Sequence, residues 1–190
     1  MKLNLGCGRN TMEGWTNIDH VAGPGVDVVF DLDHCRDFHL PFAENSVDEI
    51  LLSHVIEHLR DPLSLMQELH YVAKPGATLT IRCPHGASDD ADEDPTHVRR
   101  MYPGSFGYFS QPYYWRADYG YRGDWEIDTM HLWLHPRMEH ESIADKFNMI
   151  ERERNVVREI VVVMHAVKPI RPPQRSLQVY VPPFFHIASY

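Results

Sequence analysis

The sequence predicts one α/β domain whose sheet is mostly parallel, and three observations lead to this prediction. Short apolar segments typical of strands alternate with turn or helical segments over the first 85 residues. The first strand runs directly into a Gly-x-Gly turn, and the second ends on Asp19. The chain has 190 residues with 43% hydrophobic content, which suits one domain, 1–190, with a sizeable core. Ligands of such sheets bind at the carboxyl ends of the strands, so we expect the site there.

Local signals place the strands and one helix between them. The strands are predicted at residues 3–5, 15–19, 26–30, 49–53 and 77–83. Before the last strand, apolar residues recur at helical spacing; Asp61 can cap this helix, Pro62 fits its first turn, and Lys74-Pro75-Gly76 ends it. Only ten residues separate Gly8 from Asp19, so the first crossover is expected to be a turn or an irregular loop.

The second half of the chain carries two segments outside this pattern. Residues 86–136 are predicted to form an insertion, which we interpret as a substrate lid; packing of a satellite core is the alternative. A helix at 137–147 and a hairpin of strands at 149–154 and 158–167 are expected to follow. Residues 169–190 form a Pro-rich arm, which is expected to pack on its own domain, with a homodimer as the alternative. The aromatic belt of the insertion consists of Tyr102, Phe106, Tyr108, Phe109, Tyr113, Tyr114, Trp115, Tyr119, Tyr121, Trp125 and Trp133.

The glycine turn and Asp19 suit a nucleoside ligand. Gly6 and Gly8 allow a tight turn and a close approach of the backbone to the ligand, and the two oxygens of Asp19 suit the hydroxyls of a ribose. A dinucleotide fingerprint needs a third glycine, where this chain has Thr11, and its acidic residue comes about 20 residues further on. S-adenosylmethionine has no phosphate to bind, so the pattern favours this cofactor over a dinucleotide.

Four motifs together resemble a known family. The chain has Leu-Asn-Leu-Gly-Cys-Gly at 3–8, Gly-Trp-Thr-Asn-Ile-Asp at 14–19, Leu-Pro-Phe-Ala-Glu-Asn-Ser-Val-Asp at 40–48 and Lys-Pro-Gly-Ala at 74–77. In this order and spacing they resemble the class I S-adenosylmethionine-dependent methyltransferases, over residues 3–85. The resemblance implies a Rossmann-like methyltransferase fold, with a mostly parallel sheet of seven strands, an antiparallel last strand and helices on both faces.

The resemblance also implies a cofactor and the residues that hold it. The cofactor would be S-adenosylmethionine, with S-adenosylhomocysteine as the product. Its implied contacts are Gly6, Cys7 and Gly8 at the methionine part, Asp19 at the ribose, Asp31 and Leu32 at the adenine, and Ser53 and His54 at the methyl group.

Histidines supply the candidate catalytic groups. A neutral imidazole suits deprotonation of an attacking hydroxyl or amine, so His54 and His97 are the candidate general bases. The segment His54-Val55-Ile56-Glu57-His58 also fits H-x-x-E-H, a zinc-protease signature whose two histidines share a helix face. Asp61-Pro62 follows too soon for the long helix that this signature needs, so a zinc hydrolase is a distant alternative.

The insertion offers a second set of potential metal ligands. A divalent ion is the only cofactor besides S-adenosylmethionine that its residue types suggest. Their spacing is too loose to define a ligand geometry, so we predict no bound metal. The residues concerned are His85, His97, His131, Asp89, Asp92 and Asp94.

Charge and composition argue against several other classes. The formal net charge of −9 makes nucleic-acid binding unexpected, because phosphate binding depends on clustered Lys and Arg. No apolar run approaches the roughly 20 residues of a membrane span, and the chain enters a core strand without a signal peptide. Cys7, Cys35 and Cys83 are scattered, which fits a reducing compartment. We therefore expect a cytoplasmic protein with no membrane partner.

The sequence thus predicts an enzyme that transfers a methyl group to an oxygen or nitrogen atom of a small-molecule or sugar-like acceptor. The acidic charge and the aromatic belt are the basis for this acceptor class. A catalytically silent S-adenosylmethionine-binding partner protein is the alternative. Such a protein would still use Gly6, Gly8 and Asp19, but no groups would converge on the methyl.

Overall fold

The computed structural model describes residues 1–178 and 181–189, which contain an eight-stranded sheet. Its strands are β1 (Lys2–Leu5), β2 (Thr16–Asp19), β3 (Val28–Val29), β4 (Val47–Ser53), β5 (Ala73–Pro84), β6 (Trp125–Leu134), β7 (Val157–Ala166) and β8 (Phe184–Ile187). They lie in the order β3-β2-β1-β4-β5-β7-β6-β8. The first five strands are parallel, β7 is antiparallel to both β5 and β6, and β8 pairs parallel with β6.

Helices connect the strands in the later part of the fold. The α-helices are α1 (Pro62–Val72), α2 (Asp90–Glu93) and α3 (Ile143–Arg152). Short 3-10 helices cover Leu32–Arg36, Ile56–His58, Pro103–Phe109, Gln111–Trp115, Pro136–Met138 and Arg175–Leu177. Asp61 caps α1 by accepting the backbone N–H of Ser64 at 3.2 Å, and Pro62 begins the helix, both as predicted. The connection from β1 to β2 contains no helix, which confirms the expectation of a short crossover.

One face of the sheet is buried and forms the core. Cross-strand neighbours on this face are fully buried: Leu3, Ile50, Leu79 and Met164. Both α1 and α3 contact it. The indole N–H of Trp125 on β6 donates to the carbonyl of Met66 on α1 at 2.9 Å. The ring of Phe147 on α3 lies 5.0 Å from that of Phe185 on β8.

The opposite face of the sheet is more open. Leu51, Thr80, Val163 and Thr129 pair across four neighbouring strands there, and each is only partly buried. The predicted α/β class and the mostly parallel Rossmann-like sheet are confirmed, with one strand, β8, beyond the seven expected. Both helices of ten or more residues in the described chain contact the buried face, because the early crossovers are too short to place a helix on the other one.

The predicted hairpin of 149–154 with 158–167 is wrong in its first strand. Residues 149–152 belong to α3, which Ser142 caps by accepting the backbone N–H of Asp145 at 3.1 Å. The true antiparallel neighbour of β7 besides β5 is β6, with Trp125 opposite Ala166. Residues 125–134 of the expected insertion are therefore a strand of the sheet.

The described part of the C-terminal arm packs on its own chain. Arg171 binds the fully buried carboxylate of Asp124, with its Nε 2.8 Å from Oδ2, and β8 adds to the edge of β6. Val179, Tyr180 and Tyr190, which belong to the predicted arm, lie outside the described residues. No helix in the described ranges has the length and apolar character to cross a bilayer.

Candidate active site

A cavity of about 540 Å³ opens at the carboxyl ends of the first strands, where the sequence predicts ligand binding. The glycine turn after β1 contributes Gly6, the end of β2 contributes Asp19, and the residue after β4 contributes His54. The loop after β3 supplies Phe30 and Leu32. The cavity therefore lies where the fold class places a nucleoside ligand.

Backbone amides hold the Asp19 carboxylate in the cavity wall. The amide of Gly8 donates to Oδ2 at 2.8 Å and that of Val21 donates to Oδ1 at 3.0 Å. Burial alone would raise the pKa of Asp19, but the hydrogen bonds from Val21 and Gly8 outweigh it and the pKa is lowered. The carboxylate is therefore ionised at neutral pH, and each oxygen keeps a lone pair for a ligand hydroxyl.

Part of the cavity wall is apolar and is flanked by carboxylates. Phe30 and Leu32 provide the apolar part, and Asp31 stands between them in the sequence. Asp31 accepts the backbone N–H of Asp33 at 3.0 Å, and Asp33 in turn accepts that of Arg60 at 2.8 Å. These bonds tie the wall to the loop before α1.

Five of the eight predicted cofactor residues line this cavity: Gly6, Asp19, Asp31, Leu32 and His54. Cys7 does not, because its side chain is buried beneath the turn, and burial raises the pKa of its thiol. Gly8 acts through its amide on Asp19, and Ser53 also lies outside the lining.

Several lining residues were not predicted to contact the cofactor. Positions 30 and 33 follow the end of β3, so the strand-end rule could have found them. The residue at position 96 could not be found in this way, because it comes from the insertion and its place depends on the folded chain. The residues missed are His20, Phe30, Asp33, Val55, His58, Leu59 and Thr96.

His54 stands at the edge of the cavity in an unusual conformation. Its φ is +56°, a left-handed value that is uncommon for a residue with a Cβ. Its Nε2 lies 3.0 Å from Oε1 of Glu159, and its Nδ1 lies 3.4 Å from Oε1 of Glu57. The hydrogen bond to Glu159 and the contact with Glu57 raise the pKa of His54 to about 9. The ring therefore carries a proton at neutral pH, whereas a general base would need the neutral form.

A second cavity, of about 570 Å³, adjoins the first at His54. Within the described chain, His54 is the one residue that lines both. The walls of the second cavity are mostly charged or polar. They include Arg82, Asp90, His97, Trp133, Arg158 and Glu159. Arg82 binds Glu159 through Nη2 at 2.9 Å to Oε2, so both side chains are fixed beside His54.

The aromatic belt serves both packing and a third cavity. Phe106, Tyr121 and Trp125 are buried and extend the core. Tyr108 and Tyr119, among others, line a cavity of about 950 Å³ that shares no lining residue with the cavity at Asp19. The largest aromatic pocket is therefore separate from the place where the methyl group would lie.

The six metal-ligand candidates of the insertion do not come together. The His85 ring packs against Tyr102, with centroids 5.2 Å apart, and His131 on β6 lies 2.8 Å from His186 through its Nδ1. His97 lies instead beside Glu57 and His58. Residues Ile56–His58 form a single 3-10 turn, so the H-x-x-E-H segment lacks the long helix of the zinc-protease signature and a zinc hydrolase is not favoured.

Comparisons with known proteins relate part of the sequence to a family and the fold to solved structures. Residues 16–81 match a family model described as "Methyltransferase domain". No curated protein gave a match.

Solved structures share the fold at low sequence identity. A SAM-dependent methyltransferase from Archaeoglobus fulgidus is 15% identical with a TM-score of 0.61, over 86% of this chain and 85% of that one. A SAM-dependent methyltransferase from Thermotoga maritima, described as a "possible histamine N-methyltransferase", is 14% identical with a TM-score of 0.54, over 88% and 81%. The [4+2]-cyclase SpnF is 15% identical with a TM-score of 0.52, over 90% and 74%.

Proposed function

We propose that this chain is a class I S-adenosylmethionine-dependent methyltransferase, which the match of residues 16–81 to a methyltransferase-domain model supports, and that it methylates an oxygen or nitrogen atom of a small polar acceptor. The observation that carries the proposal is the junction of two cavities at His54. One cavity has the groups that suit the cofactor, and the other has charged and polar walls. A methyl group leaving the first cavity at this junction would enter the second.

The residues of the first cavity fit the cofactor. The ionised Asp19, oriented by two backbone amides, can accept hydrogen bonds from both ribose hydroxyls. Gly6 brings the backbone close to the ligand, while Phe30 and Leu32 offer an apolar surface to the adenine. When bound, S-adenosylmethionine supplies an electrophilic methyl group on its sulfonium.

The arrangement of side chains where the two cavities meet supports catalysis by positioning of the acceptor. His54 follows the last residue of β4, and its ring is held by Glu159, which Arg82 holds in turn. Alignment of an acceptor atom with the departing methyl can provide much of the rate enhancement of such a transfer. His54 and His97 both line the second cavity and are the residues that we propose to contact the acceptor. Their convergence with Glu159 disfavours a catalytically silent binding protein.

The second cavity favours a hydroxyl-rich acceptor such as a sugar. Asp90, Arg158 and Glu159 provide hydrogen-bonding groups of both signs. The Trp133 ring, which stacks on His186 with centroids 4.8 Å apart, lines this cavity and would offer its other face to a sugar ring. Because Asp90 and His97 belong to the insertion, its first part would close over the acceptor, in keeping with the proposed lid.

The test is calorimetric titration with S-adenosylhomocysteine, followed by an acceptor screen. We expect micromolar binding that weakens by about 10-fold or more in Asp19→Ala, from the loss of hydrogen bonds to a charged group. Asp118→Ala, which removes an exposed aspartate paired with Arg122, is the matched control and should bind normally. In methyl-transfer assays with sugars, Trp133→Ala should lose activity while it still binds S-adenosylhomocysteine.

Failure of the unaltered protein to bind S-adenosylhomocysteine would overturn the cofactor assignment. Equal binding by the Asp19→Ala variant would overturn the role of the carboxylate. If Trp133→Ala transfers methyl groups as well as the unaltered chain, the acceptor does not use the second cavity.

A further inference from the structure

Glu57 is a buried carboxylate whose oxygens lack hydrogen-bond partners. The residue is only 1% exposed, and neither Oε1 nor Oε2 accepts a hydrogen bond from any described residue. The Nδ1 of His54 lies 3.4 Å from Oε1, but the same imidazole hydrogen-bonds Glu159. An ionised carboxylate in such surroundings is strongly disfavoured unless another positive group compensates it. The His54 imidazole is thus shared between two carboxylates, and both oxygens of Glu57 keep lone pairs that no described residue fills.

Two histidines stand next to this carboxylate. One potential ligand atom from each of Glu57, His58 and His97 lies within 4.8 Å of the other two. The rings of His58 and His97 meet edge to face, with centroids 4.7 Å apart and planes at 69°. A carboxylate and two imidazoles at this separation leave room for a single small ion to reach all three.

The Nδ1 of each ring has a polar partner, and the Nε2 of His97 also lies 3.8 Å from Oδ2 of Asp94. The Thr96 hydroxyl donates to Oδ1 of Asp94 at 2.6 Å, so at 3.0 Å it accepts the Nδ1–H of His58. The Nδ1 of His97 lies 3.2 Å from the carbonyl of Ala91, where it can only donate. These contacts orient each ring through its Nδ1, as the outer hydrogen bonds of metal-binding histidines do, and a ring whose Nδ1 donates can offer Nε2 to an ion.

The backbone holds the two halves of this cluster together. His58 comes from the turn after β4, whereas His97 comes from the insertion. The carbonyl of Glu57 accepts the amides of Val98 at 2.9 Å and Arg99 at 3.1 Å, which ties the insertion to the turn. The cluster is thus prepared by the fold rather than assembled from mobile side chains.

We propose that Glu57, His58 and His97 bind a divalent transition-metal ion of the zinc type. Two imidazoles and one carboxylate are a donor set that zinc accepts in catalytic sites, where a fourth position stays open. His58 lines the cofactor cavity and His97 lines the second cavity, so the ion would lie between them. Its open position could then take an oxygen of the acceptor. The proposal rests on the donor groups and does not depend on the methyltransferase assignment.

Titration of the full chain with Co²⁺, a spectroscopic substitute for zinc, tests the site. We expect one Co²⁺ per chain with visible absorption bands of low coordination number, and displacement of the Co²⁺ by Zn²⁺. His97→Ala and Glu57→Gln should weaken binding by well over about 10-fold, the loss that removal of even an outer hydrogen-bond partner causes. His140→Ala, which removes an exposed histidine away from the cluster, is the control and should bind like the unaltered chain.

Thr96→Val tests the site without removing a ligand, in case His97→Ala or Glu57→Gln does not fold. It removes the shorter of the two contacts of His58 Nδ1, the one to the Thr96 hydroxyl, and leaves the 3.4 Å contact to the Thr96 carbonyl and all proposed ligands in place. We therefore expect up to about a 10-fold weaker site in a folded protein. Absence of Co²⁺ and Zn²⁺ binding to the unaltered chain would overturn the proposal, as would undiminished binding by folded His97→Ala and Glu57→Gln. Titration with S-adenosylhomocysteine on the same samples separates this outcome from failure of the cofactor site.

Discussion

Replacement of Gly6 by alanine tests how tightly the cofactor turn packs on the rest of the domain. Gly6 and Gly8 both have left-handed φ values, +62° and +50°. A Cβ added at Gly6 would lie 2.5 Å from Cγ2 of Val55, which is itself buried. A Cβ added at Gly8 would meet nothing within 4 Å. The two glycines therefore share a backbone conformation but differ in the space beside them.

The difference sets the expected free energies of unfolding. The left-handed conformation costs an L-residue about 1–2 kcal/mol, and this cost applies to both alanine variants. Overpacking of a tight site adds about 1–3 kcal/mol, and this applies only to Gly6→Ala because of Val55. The change in chain entropy of the unfolded state is the same for both and cancels. We therefore expect Gly6→Ala to lower the free energy of unfolding by about 1–3 kcal/mol more than Gly8→Ala does.

Urea unfolding of a double-mutant cycle measures this difference. Val55→Ala removes the two methyl groups that the new Cβ would strike, so Gly6→Ala combined with Val55→Ala should lose less than the sum of the single changes. The coupling free energy between positions 6 and 55 should equal the extra stability that Gly6→Ala loses compared with Gly8→Ala. Equal stabilities of the two alanine variants, or additive losses in the cycle, would refute the packing argument.

Two further predictions concern the insertion and the arm. Burial lowers the pKa of His85 from 6.5 to about 4. Between these pH values the imidazole is protonated in the unfolded chain but not in the folded one. The free energy of unfolding should therefore fall by about 3 kcal/mol as the pH drops from 6.5 to 4. In urea unfolding, His85→Gln should make the free energy of unfolding depend less on pH over this range. An unchanged pH dependence would contradict the role given to His85. Arg171→Met leaves the fully buried Asp124 without its guanidinium and should cost about 3–5 kcal/mol. Arg175→Met, on the same arm, should change stability by no more than about 0.5 kcal/mol, and equal losses in both would contradict this account.

The cofactor side of the site was predictable because its signals are local. Gly6 directly follows β1, Asp19 ends β2, and Asp31 and Leu32 come just after β3. Each of these positions depends only on where a short strand stops. The carboxyl ends of parallel strands then bring the positions to one edge of the sheet.

The acceptor side could not be predicted in the same way. Arg82 and Glu159 are 77 residues apart, and they meet only because β5 and β7 pair in one antiparallel register. The sequence carries no signal for that register, since many shifts by two residues would keep the same faces buried. His97 and Asp90 reach the second cavity through an insertion whose course depends on such long-range contacts.

The error at α3 has a different physical origin. Met149 and Ile150 precede a run of alternating charges, and such a short segment fits a strand or a helix equally well. The structure has one helix, Ile143–Arg152, with Ser142 as its cap, so the helix predicted at 137–147 was placed six residues too early at its start and five at its end. Phe147 and Ile150, three residues apart, then share a face above β6. The capping residue was the better indicator than the charge alternation.

The conformation of His54 connects the fold to the proposed chemistry. Three residues other than glycine have positive φ in the described ranges, Asn45, His54 and Asn155, and all three are of types that adopt this conformation more often than other residues with a Cβ. A histidine in this conformation costs about 1–3 kcal/mol and persists only where its surroundings hold it. Here the amide of His54 is bound to the carbonyl of Arg82 at 2.9 Å, and its ring is bound to Glu159. The strained conformation thus costs stability at His54, the residue that lines both cavities. A transfer reaction between the cavities needs a fixed geometry at this point.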